Sequence, residues 1–134
     1  MEFFEASPFT RYLRDYMADE EYVSLQYLLA QNPQLGDVMP GTGGFRKLRW
    51  ADPRRGKGRR GGLRIIYYHF AAEQQIWFMT LYGKDEADDL TADEKRALRT
   101  CYRSRIEGPY AQESARTKKT REVSTWRNVR FLRS

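Results

Sequence analysis

The sequence predicts an α+β protein, in which an N-terminal helix hairpin packs on a small, mainly antiparallel sheet of about four strands, followed by a C-terminal helix. Three observations predict it. Between Gly43 and Lys84 lie three apolar runs, Phe45–Ala51, Leu63–Ala71 and Gln75–Tyr82, bounded by Gly-rich or polar segments. Two of the runs are rich in β-branched and aromatic residues, as strands are. Ahead of them, apolar residues recur at three- and four-residue intervals, the period of amphipathic helices. Behind them, Thr91 and Glu94 form the signature of a capping box before another apolar stripe.

Taken in order, Glu2–Glu5 reads as a short first strand. Ser7 offers an N-cap with Pro8 at the first helical position, and Phe9, Tyr12, Leu13 and Tyr16 carry a helix to about Met17. Asp19 opens a second helix, with Glu20 and Glu21 where the helix dipole favours them. Its apolar stripe is Tyr22, Leu25, Leu28 and Leu29, and Asn32–Pro33 ends it. Gln34–Gly43 reads as a Pro/Gly loop. The four residues after Phe70 form the turn of a hairpin between the second and third long strands. Alternation along the third strand sets Trp77, Met79 and Leu81 toward the helices, and Tyr82 and Lys84 toward the other side. Arg64 joins Tyr82 and Lys84 if the hairpin register sets the start of one strand against the end of the other. The final helix carries Leu98, Cys101, Tyr102 and Ile106 on its apolar side, and Gly108–Pro109 stops it.

At 134 residues, residues 1–106 form one domain and 107–134 a basic tail. From Glu107 onward seven Lys/Arg stand against three Glu, so the tail holds +4 of the chain's net +6. Its polar middle, QESARTKKTRE, has little apolar surface, which favours disorder over a docked helix at Val123, Trp126 and Val129. No apolar run approaches the roughly 20 residues that span a bilayer, and MEFFEASPF lacks the basic start of a secretory leader. The single cysteine, Cys101, excludes an internal disulfide and fits a reducing cytoplasm. No Cys/His cluster is present to hold a structural zinc, and nothing calls for a cofactor.

The net charge points to an acidic partner, nucleic acid or protein. Arg54, Arg55, Lys57, Arg59 and Arg60 crowd into the Gly-rich segment Pro53–Gly62, which can bring cations and backbone N–H groups close to a phosphate chain. Lys47 and Arg49 stand on the first long strand and Arg64 on the second, while Tyr82 and Lys84 close the third. His69, the only histidine, falls on the opposite face of its strand from Arg64 and reads as a packed or surface residue rather than a general base.

Three segments in order, GGFRKLRWA (43–51), GKGRRGGLRIIYY (56–68) and MTLYGKDE (79–86), resemble the RelE/HigB toxins of type II toxin–antitoxin modules. The resemblance covers residues 1 to about 106 and is nearest to the HigB-like branch. It implies a fold like that of small microbial ribonucleases, and metal-independent cleavage of mRNA on the translating ribosome. It further implies ribosomal RNA and translated mRNA as partners, a cognate antitoxin, expected to be a helix-turn-helix protein, and a cytoplasmic location without a membrane. The family's active-site cations and tyrosine match Arg64, Tyr82 and Lys84, with Lys47, Arg49 and Lys57 as further basic candidates, and Lys47, Arg49, Arg54, Arg55, Lys57, Arg59 and Arg60 are assigned to the RNA backbone. The tail beyond about Ile106 departs from the family's usual short C-terminus.

Attack by a ribose 2′-OH needs that proton removed, the leaving 5′-oxygen protonated and the phosphorane's added charge stabilised. Clustered cations supply the last directly, and they lower the pKa of a neighbouring Lys or Tyr enough to carry protons. Arg64 is therefore assigned to the phosphate, and Tyr82 or Lys84 to proton transfer. Two other readings use the same residues: a non-catalytic module that binds RNA or the ribosome, and a ParE-like inhibitor of DNA gyrase. The density of sheet cations argues against the latter.

Overall fold

The computed structural model describes residues 1–52, 62–84 and 90–104. In chain order the elements are β1 (Glu2–Glu5), α1 (Ser7–Tyr16), α2 (Asp19–Gln31), β2 (Asp37–Val38), β3 (Arg46–Trp50), β4 (Leu63–Phe70), β5 (Gln75–Gly83) and α3 (Ala92–Tyr102). The strands form one mixed sheet ordered β1-β5-β4-β3-β2. β1 runs parallel to β5, and every other pair is antiparallel. The fifth strand is a correction: β2 lies within the segment read as a Pro/Gly loop, and its two residues pair with Arg46 and Lys47.

Both faces of the sheet are covered, and each has its own apolar cluster. On one face α1 and α2 contribute Phe9, Tyr16, Leu25 and Leu29 against Leu48, Leu63, Ile65, Tyr67, Ile76, Phe78 and Leu81. On the other, α3 brings Leu98 and Cys101 to Phe4, Phe45, Ile66, Trp77, Met79 and Tyr82. The expectation that Trp77, Met79 and Leu81 share the helix-hairpin face is thus wrong for Trp77 and Met79. The cause is a bulge. Tyr67 pairs with Phe78 and Ile66 with Thr80, so Met79 is an extra residue on β5. An extra residue reverses the alternation beyond it, which sends Leu81 to the face of Phe78 and Tyr82 to the face of Met79.

Two helix details also differ from expectation. The N-cap of α1 is Ala6 rather than Ser7, and no side chain caps that end. On α2, Tyr22, Leu25 and Leu29 pack inward while Leu28 is exposed, as are Val23 and Tyr27. The capping box of α3 forms as its sequence dictates: the Thr91 N–H donates to Glu94 Oε1 at 2.8 Å, and the Glu94 N–H donates to Thr91 Oγ1 at 3.1 Å. Ile106 and Gly108–Pro109 lie outside the described residues, as does the whole tail.

The link between α2 and β3 is fixed by side chains as well as by the short β2. Tyr67 Oη donates to the Pro33 carbonyl at 2.8 Å and accepts from the Gly36 N–H at 2.9 Å. Burial raises the pKa of this phenol, so it remains a neutral donor. Arg46, on the same face, donates to the Gly36 carbonyl at 2.7 Å. Tyr67→Phe keeps the ring and removes both bonds, each worth about 1 kcal/mol and more where a buried partner is orphaned. Urea denaturation should show a loss of roughly 1–3 kcal/mol.

Candidate active site

β3, β4 and β5 lie side by side, and their registers decide which charged residues meet. Arg49 is opposite Arg64, and Arg64 is opposite Tyr82. The three residues therefore form a row across the α3 face of the sheet, at steps of about 4.8 Å. One row along, Lys47 is opposite Ile66, and Ile66 is opposite Thr80. Lys47 also faces Asp37 across the β2–β3 pair, which gives it a local counter-charge. Lys84 follows the end of β5, where its backbone N–H donates to the Gly62 carbonyl at 2.9 Å, and its side chain is exposed. Gly62 directly precedes β4, so Lys84 lies at the same end of the hairpin as Arg64 and Tyr82.

Burial divides the row. Arg49 is exposed, whereas Arg64 retains only 3% of its surface and Tyr82 none. An arginine so enclosed is unusual, and a second arginine directly across a strand pair is destabilising. Both effects appear in the ionisation of Arg64. Burial, then the charge of Arg49, lowers its pKa, and Tyr82 opposes them. A guanidinium nonetheless remains charged at physiological pH. One of its N–H groups donates to the Leu63 carbonyl at 3.2 Å. The arrangement holds two positive charges close together beside a phenol, with one of them at the surface. An anion bound at Arg49 would offset their repulsion.

The glycine pair ahead of β3 has a structural explanation. Gly43 and Gly44 have φ of +87° and +115°, and a Cβ on either would come within 3.2 Å of the Tyr102 or Tyr68 ring respectively. Tyr68, Tyr102, Phe45 and Phe70 pack there edge-to-face or tilted, at centroid distances of 4.9–5.5 Å. Burial, then contact with Tyr102, pushes the Tyr68 phenol up to about 12, which disqualifies it as a proton carrier near neutral pH.

His69 pairs with Ile76 near the turn end of the hairpin. That is five residues from Arg64 and on the other face, so it has no part in the row. Burial and then Arg46 lower its pKa. Cys101 is buried in the α3 cluster, as a core residue. Arg54, Arg55, Lys57, Arg59 and Arg60 lie outside the described residues. Among the described residues, no three of His, Cys, Asp and Glu come together in a way that could hold a metal ion, and no helix is long and apolar enough to cross a membrane. Sequence reasoning missed the solvent side of α3, where Lys95, Arg96, Arg99 and Arg103 fall on one stripe. Their three- and four-residue spacing was the available signal. No family model matches the chain.

Proposed function

We propose that this protein is a toxin of the RelE/HigB kind, a metal-independent endoribonuclease that cleaves mRNA on the ribosome and is held in check by an antitoxin. The observation that carries the reading is the row Arg49–Arg64–Tyr82, two facing arginines and a phenol on adjacent strands. The ordered motifs 43–51, 56–68 and 79–86 add to it. Two arginines facing each other are a poor structural choice unless an anion comes between or beside them. A scissile phosphate is such an anion, and it would meet the exposed Arg49 first.

In this mechanism Arg64 and Arg49 stabilise the charge that grows on the phosphorane. Tyr82 or Lys84 takes the 2′-OH proton or returns one to the 5′-oxygen. The products are a 2′,3′-cyclic phosphate and a free 5′-OH, with no water consumed in the first step. Lys47 holds the RNA backbone beside the row.

The enclosure of Arg64 and Tyr82 favours one rival, a module that binds RNA through Arg49 and Lys84 without cutting it. Primer-extension mapping of mRNA ends in a translating extract separates the two. Addition of the protein should create new ends at defined codon positions, while the same mRNA free of ribosomes stays mostly intact. Equal cutting of both would remove the ribosome requirement, and no cutting in a competent extract would leave the binding module.

A further inference from the structure

We propose that the outer face of α3 is a second RNA-binding surface, which grips the phosphate backbone of structured RNA apart from the row where cleavage takes place. The inference rests on RNA being the partner and deepens that reading by assigning an anchoring surface.

The inward side of α3 is fixed by Leu98 and Cys101 in the core, by Tyr102 against Tyr68, and by the buried Glu94 of the capping box. With that side settled, Lys95, Arg96, Arg99 and Arg103 fall within one stripe on the solvent side. Arg96, Arg99 and Arg103 are exposed, and Lys95 is half-buried. Exposed helix faces ordinarily mix signs, because opposite charges three or four residues apart support the helix and like charges weaken it. Here Lys95–Arg99 and Arg99–Arg103 are spaced by four and Arg96–Arg99 by three, all of like sign. Arg99 and Arg103, late in the helix, gain from its dipole, whereas Lys95 and Arg96, nearer its middle, do not. Asp93 pairs with Arg96.

A polyanion would turn the repulsion into binding. From Arg96 to Arg103 the stripe rises about 10 Å, a length over which a nucleic-acid duplex presents several phosphates. The helix packs on the same face of the sheet as Arg49, Arg64 and Tyr82, and its far end abuts Tyr68. An RNA bound along it thus lies on the side of the protein where the row opens. An acidic protein segment is the competing occupant. The repeated arginines favour phosphate, which they can bind with a bidentate fork.

The test uses the full chain and a fluorescently labelled RNA hairpin, with binding followed by anisotropy over a salt series. The triple variant Arg96→Gln/Arg99→Gln/Arg103→Gln should bind about tenfold or more weakly at low salt. Its slope of log affinity against log salt should be shallower by about three counterions. Its thermal midpoint should be unchanged or higher, since like-charge repulsion is removed. The triple Arg→Lys variant should keep most of the affinity and serves if the first folds poorly. Unchanged affinity and slope in the glutamine variant would overturn the proposal without touching the nuclease reading. Poly-glutamate binding that needs the stripe, beside RNA binding that does not, would also overturn it and assign the surface to an acidic protein. Stripe-dependent hairpin binding by a protein that never cuts translated mRNA would sustain the proposal and sink the nuclease.

Discussion

Phe78→Ala should cost about 3–5 kcal/mol, a large share of the roughly 5–15 kcal/mol that domains of this size hold in all. Phe78 is fully buried and stacks on Phe9 at 4.7 Å between ring centroids. It also stacks on Phe3 at 5.8 Å and meets Tyr22 edge-on at 5.7 Å. One ring on β5 therefore touches β1, α1 and α2, and its loss opens a cavity where three elements meet. Circular dichroism through a urea titration would measure the change. Phe78→Leu should cost less, because it leaves a smaller void. A loss below about 1.5 kcal/mol for the alanine variant would mean that the helices close over the space.

The second large effect falls on activity. Arg64→Met keeps most of the buried aliphatic volume and removes the charge, so stability should change by less than about 1.5 kcal/mol. Cleavage should fall about a hundredfold, the usual loss when one preorganised group that stabilises transition-state charge is deleted. Single-turnover cleavage at saturating ribosome is the right measurement, because saturation hides a pure binding defect. A methionine variant that cuts at the native rate would show that Arg64 serves the fold alone.

How much of this was legible depended on whether a polar residue marked the pattern. Thr91 and Glu94 specify their own contacts, and the structure contains both. The turn at 71–74, where Gln74 takes φ +53°, brings Arg64 to the end of β5 that carries Tyr82, but by itself it would pair Arg64 with Leu81; the extra residue Met79 moves the pairing to Tyr82. The bulge at Met79 had no such mark. β5 is buried along its whole length, so its apolar residues fit either face and alternation has nothing to calibrate it. β2 is two residues long, shorter than any compositional signal. Of the site, Arg64 and Tyr82 stood out as polar residues on apolar strands, but their depth and the place of Arg49 beside them did not. Arg64 and Arg49 look alike in sequence, and only the packing of the sheet encloses one and exposes the other. Arg46, one position from Lys47, lies on the far face and braces the loop through Gly36 instead.

The parallel pairing of β1 with β5 has a consequence for how the chain is made. Glu2 is bonded beside Gln75 and Glu5 beside Phe78, so β1 finds its partner only after α1, α2 and the strands β2 to β4 have been made. Contacts so distant in sequence slow folding, because the loop between them must close before they give any return. A nascent chain that has not yet released β5 lacks the strand carrying Tyr82 and the seat for α3. The ribosome that makes this protein has therefore passed β1 to β4 before the cationic row exists.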